Sequence, residues 1–127
     1  MSVVVGWVPT EAGRAALQHA AREAELRSTD LVVLGTAPGS KDEAELHADV
    51  ELLRASTTRP VSVRPLTGDR DAADELVDLS FEESTELIVL GVRRRSPVGK
   101  LLLGSTSQRV LLEAQCPVTA VKPPLPG

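Results

Sequence analysis

The chain has 127 residues, 42% of them hydrophobic, and a formal net charge of −4 at pH 7. This length fits one domain with its own hydrophobic core, whereas the acidic balance and an aromatic content of 2% argue against a nucleic-acid surface. Cys116 is the only cysteine, which excludes an intramolecular disulfide and a thiolate metal cluster.

Apolar segments alternate with helix-like segments along the chain. Strands are predicted at residues 3–7, 30–35, 60–64, 86–91 and 117–122, and helices at residues 10–26, 41–55, 71–84 and 105–115. Strict alternation of this kind predicts an α/β fold, a doubly wound open parallel five-stranded sheet with helices on both faces. We expect one domain over residues 1–122 and a flexible, proline-rich tail over residues 123–127.

Side-chain types within the helices give further expectations. The third helix is expected to carry Leu76, Leu79 and Phe81 inward. The second helix carries acidic residues that are expected to face water: Asp42, Glu43, Glu45, Asp49 and Glu51. Strand-like residues begin at Val3, which leaves no room for a signal peptide, and no apolar run approaches membrane-spanning length. We therefore expect a cytoplasmic protein without a membrane partner.

The stretch from residue 91 to residue 122 is the most informative. A buried strand ends at Gly91, a basic loop follows, and Gly104 precedes a helix start rich in hydroxyl groups. The loop contains four cationic residues: Arg93, Arg94, Arg95 and Lys100. Free backbone N–H groups, hydroxyl groups and cations together favour an anion, most plausibly a phosphate.

The spacing Gly91-x-x-Arg94, nine residues, then Gly104-Ser105 resembles the C-terminal signature of the universal stress protein family. Nucleotide-binding members carry Gly-x-x-Gly, nine residues, then Gly-Ser or Gly-Thr, so Arg94 departs from the pattern. Three later segments are also similar to that family: Gln108-Arg109-Val110-Leu111, Cys116-Pro117-Val118 and Ala120-Val121-Lys122.

The resemblance implies the strand order 3-2-1-4-5 and a ligand site where strands one and four diverge. It implies ATP or another adenine nucleotide as the ligand, and a homodimer that pairs through Val118–Val121. The candidate binding residues are Pro9, Thr10, Gly35, Gly91, Arg94, Lys100, Gly104, Ser105 and Thr106.

Several of these residues have a structural interpretation beside the functional one. Ser105 and Gln108 have the spacing of a capping box, which satisfies the helix start with or without a phosphate. Gly91 suits either a backbone conformation that a side chain would hinder or the close approach of a ribose or phosphate. Arg94 either blocks the place of the phosphates or binds them, and the basic run is also compatible with a solvated loop.

The first loop also departs from the family. Relatives carry Asp-Gly-Ser after the first strand, whereas Val8-Pro9-Thr10 stands here, so the contact of the aspartate with the nucleoside is lost. Thr10 is still expected to cap the first helix. The absence of acidic residues at these positions excludes a phosphoacceptor receiver domain.

The remaining reactive side chains do not form a catalytic set. His19 and His47 lack a second ligand at metal spacing, and Cys116 is expected to be a buried, unactivated thiol. The leading hypothesis is a non-enzymatic regulatory protein that acts by association with an unknown protein partner. The alternatives are a nucleotide-free dimeric scaffold and an ATP-hydrolysing enzyme, which would need a metal-holding carboxylate near Gly104.

Overall fold

The structure is a computed structural model that describes residues 1–67, 69–95 and 100–124, without the side chains of residues 94, 95 and 100–102. Its strands are β1 (Ser2–Gly6), β2 (Asp30–Leu34), β3 (Val61–Arg64), β4 (Thr85–Gly91), β5 (Arg93–Arg95), β6 (Lys100–Leu102) and β7 (Val118–Val121). Its helices are α1 (Glu11–Arg27), α2 (Glu43–Ser56), α3 (Ala72–Ser80) and α4 (Ser105–Glu113).

Five strands form one parallel sheet in the order β3-β2-β1-β4-β7. Since β7 is the fifth strand of this sheet, the predicted fold class and the order 3-2-1-4-5 are confirmed. The central pairing sets Val5 beside Val33 on one side and beside Val89 on the other. The chain therefore reverses its winding direction between β1 and β4, where α/β proteins of this type bind ligands.

The period-2 alternation of strand residues divides the core into two clusters. Val3 and Val5 pack with α1 and α2 on one face of the sheet, whereas Val4 packs with α3 and α4 on the other. Leu87 and Ile88 of β4 divide in the same way. Because both faces are covered, the central strands are apolar at nearly every position, as the sequence predicts.

Small residues bring α1 close to the sheet. Ala16, Ala20 and Ala24 follow one another at four-residue spacing and are fully buried in the α1 and α2 cluster. Alanine side chains allow the helix backbone to approach the strands, so α1 lies over β1, β4 and β2. This close approach explains the aliphatic, alanine-rich composition.

The third helix is shorter than expected, and the placement of Phe81 is wrong. Phe81 is the C-cap of α3 rather than part of its buried face, and 62% of it is exposed. Its N–H donates to carbonyl groups of the last helical turn, and the N–H of Thr85 then closes a turn on Glu82. The chain therefore leaves the helix one turn early, which points the phenylalanine away from the core.

The basic loop between Gly91 and Gly104, called the signature loop below, contains a β-hairpin that the sequence analysis did not predict. β5 pairs antiparallel with β6, and the register sets Arg94 opposite Leu101 and Arg95 opposite Lys100. Residues 96–99 between the two strands lie outside the described part of the chain.

The two edges of the large sheet are treated differently. One carbonyl at the outer edge of β3 is covered by a side chain of α2, because the Arg54 guanidinium donates to the carbonyl oxygen of Val61 from Nη2 at 2.7 Å and from Nε at 3.3 Å. Among described residues, no such side-chain bond covers the outer edge of β7. Pro123, where the predicted tail begins, is buried, and residues 125–127 lie outside the described residues.

No helix within the described residues combines the length and the apolar character that crossing a membrane requires.

Candidate functional site

The loops after β1, β2 and β4 meet at the carboxyl edge of the sheet. The Trp7 N–H donates to the carbonyl oxygen of Leu34 at 3.0 Å, which ties the first loop to the end of β2. A side chain at Gly91 would overlap the carbonyl oxygen of Ala12, so the end of β4 touches the first turn of α1. The crossover helix α4 also begins at this edge, since it connects β4 to the parallel strand β7.

The first loop is folded tightly onto the start of α1. The Thr10 N–H donates to the Val8 carbonyl oxygen at 2.8 Å, and Thr10 Oγ1 accepts from the Gly13 N–H at 3.0 Å. Thr10 therefore caps α1, as predicted, and its hydroxyl oxygen already has a structural role. Pro9 and the side chain of Val8 are exposed and present an aliphatic surface at the position where the resemblance noted above implies a carboxylate in nucleotide-binding proteins.

The second loop contributes a residue that the sequence analysis missed. Gly35 is buried, and a side chain there would meet the end of the Leu46 side chain of α2, which would have to shift. The next residue, Thr36, has a buried Oγ1 without a hydrogen-bond partner among the described residues. A hydroxyl directly after a buried strand is the only signal in the sequence that could have indicated this position.

Gly91 has a packing reason. The atoms that a side chain would meet belong to the backbone of Ala12, which cannot yield as a flexible side chain can. Its backbone dihedrals are not in the left-handed region, because Gly39 is the only described glycine with a positive φ. The structural interpretation of Gly91 is thus sufficient, and a ligand contact there stays a prediction.

The cationic residues of the signature loop are placed by their backbone. Arg94 belongs to β5 and Lys100 belongs to β6, so both lie on the hairpin between β4 and α4. Their side chains lie outside the described part of the structure. Whether Arg94 blocks the site or binds a phosphate therefore stays a prediction.

The start of α4 differs from the predicted capping box. Gly104 is the N-cap, with φ −71° and ψ 168°, and among described residues no side chain caps this helix. Ser105 is the first helical residue rather than the cap, so the Ser105–Gln108 box is wrong. The extended backbone of Gly104 shifts the start by one residue, which leaves the Ser105 side chain outside the capping geometry.

The open N-terminus of α4 is suited to an anion. Among the described residues, apart from its chain neighbours, no atom lies within 4 Å of a Cβ added at Gly104, so these residues leave space beside the start of the helix. Ser105 is exposed and Thr106 is half-buried in its first turn. Backbone N–H groups of a first helical turn, together with hydroxyl groups, bind phosphate when no side chain occupies them.

Arg109 fixes α4 against α3. Its Nη1 lies 2.7 Å from the Asp74 carboxylate and 3.8 Å from that of Asp71, and its Nε lies 3.3 Å from Glu113. The hydrogen bond from Arg109 lowers the pKa of Asp74 below its ordinary value and raises that of Arg109. The carboxylates of Asp71 and Asp74 are thus held by Arg109 and by the capping box of α3.

A second polar cluster connects the first loop to α2. Trp7 is buried, its Nε1–H donates to Asp49 Oδ2 at 3.0 Å, and Arg14 Nε lies 3.5 Å from the same oxygen. The expectation that Asp49 faces water is wrong, because its side chain is only 15% exposed. Trp7 and Asp49 are 42 residues apart, so no local pattern could have indicated the contact.

The remaining reactive side chains are the two histidines and Cys116, and Cys116 is less buried than expected. His19 is half-buried, and His47 is exposed, with Nε2 3.9 Å from Glu43. In the described ranges, no three His, Cys, Asp or Glu residues are grouped so that they could hold a metal ion. Cys116 is half-buried, and burial raises the pKa of its thiol, which disfavours the reactive thiolate.

Comparisons with known proteins agree with the fold and the signature. A family model described as "Universal stress protein family" matches residues 36–122. The chain is 41% identical over 128 aligned positions to a universal stress protein of Mycolicibacterium smegmatis, covering 95% of this chain and 97% of that one. The chain belongs to the universal stress protein family.

Two solved structures of the family carry an adenine nucleotide. A universal stress protein in complex with cAMP superposes with a TM-score of 0.77 at 25% identity, covering 98% of both chains. The universal stress protein of Archaeoglobus fulgidus in complex with dAMP superposes with a TM-score of 0.71 at 28% identity, covering 96% of this chain and 98% of that one. The resemblance drawn from the signature is thereby confirmed at the level of family and fold.

Proposed function

We propose that this universal stress protein is a regulatory protein that binds an adenine nucleotide at the carboxyl edge of its sheet. The observation that carries the proposal is the start of α4, where no described side chain caps the first turn and no described atom beyond the chain neighbours lies within 4 Å of a Cβ added at Gly104. Support comes from the cAMP and dAMP complexes of two structural relatives. Both ligands carry one phosphate, which one helix N-terminus can bind.

The proposed roles of the candidate residues follow from their positions. Backbone N–H groups of Ser105 and Thr106 bind the phosphate, and Arg94 and Lys100 of the hairpin supply positive charge. The orphaned hydroxyl of Thr36 is a candidate hydrogen-bond partner for the nucleoside at the second loop. Pro9 and Val8 line the first loop without a carboxylate, so ATP is expected to bind more weakly than in relatives that carry the aspartate.

Isothermal titration of the purified chain with cAMP, AMP, dAMP and ATP tests the proposal. Gly104→Asp should weaken binding by about tenfold or more, because its carboxylate caps α4 and repels the phosphate. Gly104→Asn caps the helix without adding a negative charge. A smaller loss of affinity in Gly104→Asn than in Gly104→Asp would show that repulsion of the phosphate, and not only occupation of the helix N–H groups, weakens binding. The absence of heat with every nucleotide at millimolar concentration would remove the proposal.

Arg94→Gly decides between the two roles of the arginine. If Arg94 obstructs the site, the variant should bind nucleotide more tightly than the wild type. If its guanidinium binds the phosphate, the affinity should fall by about tenfold. Thr36→Val serves as a second probe. If the Thr36 hydroxyl contacts the ligand, its removal weakens nucleotide binding, whereas the free protein gains stability because a buried hydroxyl without a described partner is removed.

We propose that the protein acts in the cytoplasm by association and not by turnover. Asp71 and Asp74 are the carboxylates that contact α4 through Arg109. Both already pair with Arg109 and form the capping box of α3, so neither is free to hold a metal ion for ATP hydrolysis. A phosphate-release assay with ATP tests this proposal. Turnover above background that disappears in Ser105→Ala would instead favour an ATP-hydrolysing enzyme.

We further propose that two copies pair through β7. Pro117 and Val121 accept backbone hydrogen bonds from β4, so the alternate residues Val118 and Ala120 turn their backbone groups toward the open edge. Val118 and Val121 are half-buried, and Leu111 of the neighbouring helix is 38% exposed. A second copy would cover this edge, and the protein partner of the dimer is unknown.

A further inference from the structure

A groove of about 370 Å³ lies between α1 and α2, on the face of the sheet opposite α4. Leu17, Ala21 and Leu53 line it and are buried. No residue assigned to the carboxyl-edge site lines it, so the groove is separate from the proposed nucleotide site. Its volume falls at the lower end of the range of small-molecule sites in proteins.

One wall of the groove is an aliphatic side chain in contact with water. Leu52 of α2 lines the groove and is 73% exposed. An alkyl chain placed in the groove would contact the buried Leu17 and Leu53 and would also cover Leu52. Burial of this apolar surface favours a ligand with a hydrophobic part.

Among the described residues, one cation along the groove has no ion-pair partner. Arg14 pairs with Glu45 at 2.6 Å and with Asp49 at 3.5 Å. Glu25 accepts hydrogen bonds from Thr57 and Thr58, which lower its pKa. Arg22 lines the groove, is exposed and forms no ion pair with any residue the structure describes.

We propose that this groove binds an aliphatic monocarboxylate, with the carboxylate on the Arg22 guanidinium and the alkyl chain against Leu17, Leu52 and Leu53. The charge complementarity selects an anion, because the other charged groups of the groove already have partners. The apolar floor and wall select an aliphatic body in place of a hydrated phosphate.

The structure provides a spectroscopic reporter for this site. Trp7 is the only tryptophan, and its Nε1–H donates to Asp49, which lines the groove. A carboxylate ligand that displaces water beside Asp49 should alter the emission of Trp7. Amide NMR shifts on α1 and α2 would locate the ligand independently.

The test is a titration of the full chain with octanoate below its micellar concentration. Saturable changes in Trp7 emission and in amide shifts of α1 and α2 are expected. Octanol, which lacks the charge, and acetate, which lacks the chain, should each bind about tenfold more weakly than octanoate. Saturating octanoate should leave the heats of nucleotide binding unchanged, so the groove and the carboxyl-edge site are tested separately.

Matched variants make the test residue-specific. Arg22→Gln should weaken octanoate binding by about tenfold, whereas Arg27→Gln on the same helix should not, since Arg27 pairs with Glu23 and Glu86. Leu52→Asn should weaken it by about fivefold, whereas Leu112→Asn, an equally exposed leucine on α4, should not. Circular dichroism verifies that each variant is folded.

Three outcomes would overturn the proposal. The first is a lack of saturable octanoate binding, and the second is equal affinity of the wild type and Arg22→Gln. The third is a change of oligomeric state in Arg22→Gln or Leu52→Asn by sedimentation, which would assign the groove to a contact between copies of this chain.

Discussion

Thr29 and Ser80 are both buried, but their hydroxyl groups differ in hydrogen bonding. Ser80 Oγ donates to the Val77 carbonyl oxygen at 2.5 Å and accepts from the Gln115 N–H at 2.9 Å. Thr29 is 4% exposed, and its Oγ1 has no partner among the described residues. The Ser80 hydroxyl therefore stabilises the link between α3 and the end of α4, whereas the Thr29 hydroxyl is removed from water without gaining a hydrogen bond.

Thr29→Val is expected to raise the free energy of unfolding by about 1 kcal/mol, because valine keeps the shape and removes the orphaned hydroxyl. Ser80→Ala should lower it by about 1–2 kcal/mol, because the Gln115 N–H loses its acceptor. Urea denaturation of both variants measures the two effects. A loss of stability in Thr29→Val would show that its hydroxyl has a partner, such as a buried water.

Gly91→Ala tests the packing interpretation of this glycine. The added methyl group would overlap the carbonyl of Ala12, so we expect destabilisation of about 1–3 kcal/mol in thermal or urea unfolding. Gly104→Ser is the control, since no described atom beyond the chain neighbours lies within 4 Å of a Cβ there and a serine N-cap should raise stability by a few tenths of a kcal/mol. Unchanged stability of Gly91→Ala would contradict the packing interpretation and favour a contact of Gly91 with a ligand.

The sequence indicated the importance of Gly91 and Gly104 but did not indicate the hydrogen bond of Trp7. Gly91 and Gly104 could be singled out because a glycine after a buried strand or before a helix has a local reason. The hydrogen bond between Trp7 and Asp49 depends on how α2 packs beside the first loop, which no short pattern records. For Thr36, the sequence offers a hydroxyl directly after a buried strand, but no pattern shows that this hydroxyl lacks a hydrogen-bond partner among the described residues.

Among the helices, α1 and α2 are joined at their C-terminal ends by one carboxylate. Glu25 of α1 accepts from Thr57 Oγ1 at 2.6 Å, from the Thr58 N–H at 2.8 Å and from Thr58 Oγ1 at 2.9 Å. The hydrogen bond from Thr57 is the main cause that lowers the pKa of Glu25 below its ordinary value. The charged form is thus favoured in the folded protein.

This lowered pKa predicts a pH dependence. The ionised Glu25 stabilises the fold above the ordinary glutamate value of 4.5, and this contribution is lost as the pH falls through the lower folded pKa. At pH 7, Glu25→Gln should therefore be less stable than the wild type, and the gap should narrow below pH 4.5. Urea midpoints of both proteins between pH 7 and pH 3 measure it, and a gap independent of pH would contradict the assignment.

The five strands of the large sheet and the four helices could be predicted because periodic burial dictates their residue types. The hairpin of β5 and β6 could not, since these two strands of three residues each show no alternation of apolar and polar residues. The start of α4 was misplaced by one residue for a related reason. A serine after a glycine has the composition of a cap, but the backbone of Gly104 decides where the helix begins.

For the whole molecule, the proposed dimer makes a prediction about β7. Ala120→Pro removes an N–H that faces the open edge and leaves the pairing of β7 with β4 in place, so the variant should sediment as a monomer where the wild type is a dimer. Val63→Pro is the matched control at the other edge, because the backbone of Val63 faces away from β2. A dimeric Ala120→Pro protein, or a monomeric wild type, would refute pairing through β7.

The arginine that covers β3 has a consequence for aggregation. Since Arg54 already occupies the outward carbonyl of Val61, a foreign strand that approached this side would have to displace a guanidinium. Among the described residues, no side-chain hydrogen bond of this kind covers the outer edge of β7, so a strand would be added more readily on that side. If two molecules pair through β7 as proposed, each covers the outer edge of the other's β7, which disfavours the addition of further strands and the growth of fibrils.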